Sequence, residues 1–505
     1  MFLRFDGVYM NADTWVNGVH LGSHPYGYTT FQYDVTELLH AGAGAENTVA
    51  VRVNNAGKNS RWYSGSGIYR HVWLTTTPPL HIQLWGVGVV TQVAADASVV
   101  SAPTTAAASA VVTVTVDNLG KTPSHAGVLA AALLAPNGSV VGTQSIAVAS
   151  LAAGTSRNVT LPVFDVANAL LWGLDTPELY TVQVTLKDGV TGAEDNVSET
   201  FGFRSISFSV DKGFQLNGQT LKLQGGCVHH DNGIIGASSI DAAEYRRVAT
   251  LKNLGYNAIR TAHNPVSEAF LHAADTLGML IMEEAFDCWE AGKNPDDYHN
   301  YFQEWWRRDV YAFVRRDRNR PSIVMWSIGN EIPNKDTPEG IATSHSISDW
   351  IREIDPDSGR AITSAIAGLK PPDDPYISAL DVSGYNYAAH WSDGYWEDHE
   401  RVPDRIMLGT ESFPSASYQM WDSVWNESFV IGDFIWSGQS NKPECLTLPS
   451  CRESALEGTG GLRRPPQHLR ERGGWGDAVP LRKARVCVCV GGGVEATHRC
   501  HASVR

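Results

Sequence analysis

The chain has 505 residues, 43% hydrophobic and 18% charged, with a formal net charge of −15. That length holds two to four domains with a large core, and the negative balance argues against nucleic-acid or anionic-membrane partners. No apolar run reaches the roughly 18 residues that a membrane-spanning helix needs.

The opening "MFLRFDGVYMNADTWVNG" lacks an apolar signal core and enters an alternating strand pattern at once. It reads as no secretory signal, and the first domain is expected to begin part-way through; the compartment is not legible from it. Residues 1–78 alternate apolar and polar positions in short runs such as "TWVNGVHLG" and "NTVAVRVNN", punctuated by Gly, Asn and Pro. This predicts part of an antiparallel β-sandwich. Residues 79–206 form a second β-rich stretch, dominated by Ala, Val and Thr, whose length suits an immunoglobulin-like sandwich. Neither stretch clusters titratable residues in a way that suggests chemistry. Asn137, Asn158, Asn196 and Asn426 begin glycosylation sequons that decide nothing by themselves.

After Phe214 the period changes. Strand-like runs, "LKLQGGCVHH", "YNAIRTAH", "MLIMEEAF", "IVMWSIGNE", "AITSAI", "LDVSGYNY", "RIMLGTES" and "VIGDFIWSG", alternate with helical ones such as "AAEYRRVATLKNLG" and "YFQEWWRRDVYAFVRRDRNRP". Eight such units over residues 207–438 predict a (β/α)8 TIM barrel, whose chemistry gathers at the C-terminal ends of the strands. There the fourth run ends in Asn330 and Glu331 and the seventh in Glu411. Asn-Glu recurs at Asn426-Glu427 in "WDSVWNESF", a helix or loop surface, so position separates the candidate from the decoy. Two carboxylates across a barrel mouth can flank one glycosidic bond, one as proton donor and the other as nucleophile. The bland alternative is a pair of rim carboxylates held in salt bridges.

The stretches "WVNG", "RWYSGSGIYR", "FGFR", "HHD", "NAIRTAHNP", "MEEAFDCW", "RDRNRPSIVMWSIGNE", "GYNY", "GTES" and "IGDFIW" together resemble glycoside hydrolase family 2, most closely its β-galactosidases. The resemblance spans about residues 13–437. It implies a jelly-roll sugar-binding domain, an immunoglobulin-like sandwich and then the barrel, in a retaining exo-glycosidase that hydrolyses terminal β-D-galactosides. It implies Glu331 as general acid/base and Glu411 as nucleophile. Asn330 would bind the sugar 2-hydroxyl, His263 another hydroxyl, and Tyr387 the nucleophile, with Trp436 a stacking platform. The alternative for Trp436 is plain core packing. Arg61 would reach the site from the first domain or pack between domains. Adjacent strand residues face opposite ways, so His229 and His230 do not readily share a metal; His230 and Asp231 are taken as the sugar-binding members. The magnesium-dependent branch of the family carries a carboxylate where this chain has Cys288, beside Asp287, so no metal or other cofactor is expected.

Rival readings are a metal-dependent amidohydrolase on the same barrel, disfavoured by the lack of histidine in "AITSAI", and a non-catalytic carbohydrate-binding relative with an incomplete barrel. Within the enzyme class, β-glucuronidase and β-mannosidase share these motifs, although "HERVPDRIMLGTESFP" looks most like the galactosidase branch. The expected partner is a β-galactoside oligosaccharide or glycoconjugate, with a homo-oligomer left open.

Residues 439–505 differ in kind. They carry Cys445, Cys451, Cys487, Cys489 and Cys500, and from residue 440 onward 11 Lys/Arg face 6 Asp/Glu. Helical and strand periodicity fade, and no eighth covering helix is read. This stretch is expected to be an aberrant, disordered tail from a mispredicted exon, retained intron or frameshift, leaving the chain as written poorly active.

Overall fold

A computed structural model describes residues 1–505 apart from 43, 95–103, 371–372, 389–393, 440–483 and 491–505. In the first domain Phe2–Phe5 lies between Phe31–Asp34 and Val72–Thr75, and Ala12–Val16 lies between Val19–His24 and Asn47–Val53. Asn17 and Gly18, both at positive φ, make the tight turn that pairs Val16 with Val19, a conformation that Asn-Gly adopts with little strain. The alternate residues Asn47, Val49, Val51 and Val53 point inward and pack with Leu3, Phe5, Val8 and Val16. Within residues 439–505 the sequence reading is corrected wherever residues are described. Ala484–Val490 is a strand that pairs parallel with Asn47–Val53, and its Val-Cys-Val-Cys-Val alternation was the overlooked signal. Gln439 ends the eighth barrel strand, and the rest of that stretch, including the place of an eighth covering helix, lies outside the described residues.

The second domain stacks two four-stranded sheets. One centres on Thr105–Asn118, flanked by Leu80–Val93, Thr155–Thr160 and Phe164–Leu170; the other runs Val140–Val148, Gly127–Leu134, Tyr180–Asp188 and Glu194–Phe201. Their inward faces, among them Val112, Val114, Leu129, Val182 and Val184, make one core, as aligned sandwich packing requires.

A short meander, Ile206–Ser209, Gly213–Leu216 and Gln219–Leu221, leads into a closed barrel of eight parallel strands. In order these are Leu223–Val228, Ala258–Thr261, Leu280–Glu284, Ile323–Asn330, Ala361–Ala367, Val382–Asn386, Met407–Ser412 and Val430–Gln439. The eighth closes on the first. Phe214, Leu216 and Trp172 pack with Leu223, Ala258, Leu280, Val382 and Ile431, which plugs the N-terminal end. The opposite end stays open for chemistry.

Both sandwiches grip the helix His299–Asp317, one at each end. Near its start Tyr26 donates to the Ala285 carbonyl at 2.5 Å, and Tyr9, Met10 and Tyr28 join a core with Phe286, Tyr298 and Phe302. Near its end Arg315 donates to the Trp85 carbonyl at 3.1 Å, and Asn319 to that of Val87 at 2.9 Å. The first domain therefore sits at the barrel mouth and the second at its base.

Candidate active site

Glu331 follows the fourth strand directly. It is half-buried, its amide donates to the Ala365 carbonyl at 2.7 Å, and its φ is +44°. Tyr387 follows the sixth strand at φ +59°. Left-handed backbone at two bulky non-glycine residues is uncommon, and such outliers cluster where a fold must aim a side chain. Asn386 donates to Glu331 Oε1 at 2.9 Å and lies 3.4 Å from Asn330 Oδ1.

Glu411, on the seventh strand, is 3% exposed. The Tyr387 hydroxyl donates to its Oε2 at 2.5 Å, and Arg260 Nη1 donates to its Oε1 at 2.8 Å. Burial first, and then the Glu411 carboxylate, push the Tyr387 phenol well up, so it stays a donor. Arg260 is fully buried and ties the floor together: it bonds both Glu284 oxygens, Asn330 Oδ1 at 3.0 Å and Glu411. Burial opposes its charge, but Glu284 foremost, with Glu411 among the others, holds its pKa well above normal. A buried ion pair of this kind stands only when its remaining donors and acceptors are satisfied, and Ser327 supplies Glu284 with a further donor at 2.8 Å.

His263 has Nδ1 2.8 Å from Glu284 Oε1 and 3.1 Å from Arg260 Nη2. Burial and then the Arg260 charge depress its pKa far below the usual imidazole value, so it is neutral. Trp436 stacks face-to-face on it, with centroids 5.3 Å apart and planes at 8°. Trp62, carried by the first domain, stacks on His229 at 5.0 Å and meets His263 edge-on at 5.4 Å. Half-buried Trp62 and Trp436 thus flank two histidine rings as one aromatic wall.

Asp287 joins the wall to the floor. Arg61, also from the first domain, forks onto its two oxygens at 2.6 and 2.9 Å. Lys293 Nζ reaches Asp287 Oδ1 at 2.8 Å and the Asn330 carbonyl at 2.7 Å. Asn330 Nδ2 donates to Asp287 Oδ1 at 2.9 Å. Burial works against its charge, but the Arg61 hydrogen bonds foremost, with the Lys293 and Arg61 charges, hold Asp287 well below the usual carboxylate range.

The structure thus brings Asn330, Glu331, Tyr387, Glu411, His263, Trp436 and Arg61 together. His230 is a correction. It is buried under the first domain, edge-on to Tyr28 and Tyr69, with Nε2 3.3 Å from the Ser64 carbonyl. The alternation of the extended chain sends His229 to the mouth and His230 into the domain interface. Asp231 is half-buried in the loop that follows, close enough to favour the charged forms of His229 and Arg247. The decoy Glu427 caps the helix Ser417–Asn426, and its carbonyl accepts from Lys222 at the base of the barrel.

Sequence reasoning passed over Arg260, Glu284, Asn386, Lys293 and Trp62. The signal was present for Arg260 and Glu284, which are charges inside otherwise apolar strands and so have to be paired. Among the described residues no group of three or more His, Cys, Asp and Glu side chains could hold a metal ion, and Cys288 instead donates to Asp297 at 3.4 Å. No helix among them is long and apolar enough to cross a membrane.

Known proteins resemble this chain in sequence and fold. The pattern for glycosyl hydrolases family 2 matches residues 92–204, and that for the family's TIM barrel domain matches residues 209–371. The chain is 35% identical to the β-galactosidase BoGH2A of Bacteroides ovatus over 87% of its own length and 54% of that protein's. It is 34% identical to a putative β-glucuronidase of Formosa agariphila over 86% of its length and 38% of the relative's. A family 2 crystal structure from Bacteroides cellulosilyticus superposes with a TM-score of 0.78 at 41% identity, covering 86% of this chain and 56% of that one. The chain therefore spans between 38% and 56% of the length of these relatives. With both family patterns side by side along it and the barrel closed around these side chains, the chain belongs to glycoside hydrolase family 2.

Proposed function

We propose that the chain is a retaining exo-β-glycosidase acting on terminal β-D-galactosides. The observation that carries this reading is the pair Glu331 and Glu411 on the fourth and seventh strand ends, each with its own hydrogen-bond partner, Asn386 for one and Tyr387 for the other. Arg260 and Asn330 link the two sides. In this reading Glu411 attacks the anomeric carbon. The buried Arg260 guanidinium and the Tyr387 hydroxyl each hold one of its oxygens and so fix its direction of attack. Glu331, held by an amide rather than a cation, protonates the leaving oxygen and then deprotonates water. His263 and Asn330 bind sugar hydroxyls, and Trp436 offers its exposed part to a sugar face.

Relatives named both β-galactosidase and β-glucuronidase accompany the chain, so uronide hydrolysis is the second reading. Rates on p-nitrophenyl β-galactoside, β-glucuronide and β-mannoside separate them, with the galactoside expected fastest. Proton NMR of the first-formed sugar is expected to give the β anomer. An initial α product would overturn the retaining mechanism, and binding without turnover of any of the three would favour a carbohydrate-binding relative.

A further inference from the structure

Glu331 Oε1 faces a donor, and the direction of that bond is set by residues that have no choice of role. The Asp287 carboxylate can only accept, and the Arg260 guanidinium can only donate. Between them the Asn330 amide is fixed, with Nδ2 on Asp287 Oδ1 at 2.9 Å and Oδ1 receiving Arg260 Nη2 at 3.0 Å. Asn386 turns Nδ2 towards that Oδ1, at 3.4 Å, and donates to Glu331 Oε1 at 2.9 Å. The reversed amide would set its oxygen against both acceptors. Asn386 Oδ1 therefore points the other way and accepts from the Thr410 hydroxyl at 2.7 Å. A threonine hydroxyl can donate or accept; the rest of the row makes this one donate. A strand irregularity places it there. Tyr385 pairs with Gly409 but Asn386 with Glu411, so Thr410 is an extra residue in the seventh strand, a bulge that re-aims its side chain. Thr410 is fully buried, and its methyl group lies over Gly384, where a Cβ would come within 2.7 Å of it.

We propose that Thr410 and Asn386 are positioning residues for the proton transfer, fixing which oxygen of Glu331 carries the proton that the leaving group takes. The inference rests on the acid/base role given to Glu331 above and deepens it. A protonated carboxyl group has one carbonyl and one hydroxyl oxygen, and the carbonyl oxygen is the better acceptor. The Asn386 N–H at Oε1 therefore makes Oε1 the carbonyl oxygen and leaves the proton on Oε2. Once that proton has passed to the leaving oxygen, the same N–H stays on Oε1, and Oε2 is the base that takes a proton from water. One oxygen thus serves both half-reactions, and the carboxyl group need not rotate between them. Thr410 immediately precedes Glu411, so the strand that carries the proposed nucleophile also sets the geometry of the acid.

Thr410→Val keeps the shape of the side chain and removes the 2.7 Å bond, so the Asn386 amide is free to turn away from Oε1. The test uses the full chain and reads the ratio of kcat/KM for phenyl over dinitrophenyl β-D-galactoside. Dinitrophenolate leaves without a proton, whereas phenolate needs one. Positioned proton transfer is worth about 10²–10⁴-fold, and the ratio is expected to fall by about tenfold in Thr410→Val, a part of that range. Thr410→Ser, which keeps the hydroxyl, should restore the parental ratio. In a Glu331→Ala background Thr410→Val should leave the ratio unchanged, because no proton remains to be placed. Asn386→Ala should lower the ratio at least as far, and carries the test if the valine variant folds poorly.

Equal losses on the two substrates, or a further fall of the ratio in the Glu331→Ala background, overturn the inference and leave the glycosidase reading standing. If the parent hydrolyses glucuronides in place of galactosides, the galactoside reading falls, and the same ratio on the glucuronide pair decides the inference. A parent whose ratio does not respond to Glu331→Ala, or one that turns over neither sugar, overturns the inference together with the acid/base role.

Discussion

Glu331 and Glu411 end different strands and have different partners, so their removal should be felt at different steps. With Glu411 as the proposed nucleophile, Glu411→Gln exchanges its carboxylate for a poorly nucleophilic amide and should lower turnover by about 10³-fold or more. Glu331→Ala should slow poorly activated leaving groups most, and azide should restore hydrolysis of activated aryl glycosides by entering where the missing base would deliver water. Product analysis for a glycosyl azide checks this; near-normal rates for both variants without azide would refute the assignment. Glu427→Gln, at the base of the barrel, should change neither rate. A separate carboxylate allows a pH prediction. Asp433 is fully buried on the eighth strand, accepts from Ser412, and has its other oxygen without a hydrogen-bond partner among the described residues. Burial lifts its pKa from 3.8 to about 6. A raised carboxylate pKa means that the folded state binds the proton more tightly than the unfolded chain, so this site's contribution is fully present below 3.8 and is lost as pH rises through about 6. Asp433→Asn removes that loss. Against the parent, it should gain roughly 3 kcal/mol more at pH 7.5 than at pH 3.5, read from denaturant curves at the two pH values, and an equal effect at both would contradict the argument.

At the scale of elements, the turns and caps carry their own energetics. Gly278 ends the helix Glu268–Leu277 in the left-handed region at φ +68°, and a Cβ there would stand 2.2 Å from the Leu174 carbonyl oxygen. Gly255, at φ +90°, has open space around it. Gly255→Ala should cost about 1–2 kcal/mol, the strain of the left-handed backbone alone. Gly278→Ala should cost clearly more, because a packed backbone must also move, and equal losses in chemical denaturation would show the contact is relieved cheaply. This difference also marks what sequence could tell. The eight barrel strands were legible because runs such as "IVMWSIG" are almost wholly apolar and alternate with helical ones. The catalytic candidates were legible because Glu331 and Glu411 break apolar strands at their ends. Arg260 and Glu284 break strands too, yet their meaning depends on which charges face each other across the barrel, which is a matter of register rather than of local pattern. His230 was misplaced for a related reason: alternation gives two faces but not which face the mouth lies on.

For the whole molecule, the site is shared between domains. The first domain's segment 54–66 is anchored to the barrel by backbone bonds of Lys58 with Asp296 and by the Arg61–Asp287 fork. It carries Trp62 to His229 and hydrogen-bonds the indole to Tyr28 at 3.2 Å. Tyr26 and Tyr28, by contrast, are buried in the core common to both domains. These two kinds of contact predict two kinds of variant. Tyr26→Ala empties a packed site and unpairs the Ala285 carbonyl, and should cost about 3–5 kcal/mol by analogy with other large aromatic truncations. Activity would then fall with the folded fraction. Trp62→Ala removes a half-buried ring at the mouth that packs on the edge of that core. The melting temperature should move by no more than a few degrees, since partly exposed side chains contribute modestly to stability. The histidine rings it holds would lose one side of their stack, however, so kcat/KM on the galactoside should fall by about tenfold or more, the order expected when a positioning contact is misaligned. Parallel thermal melts and steady-state kinetics on both variants test the division. If Trp62→Ala lost activity only in proportion to stability, the first domain would be a scaffold for the barrel; a large loss at near-parental melting temperature makes it part of the site.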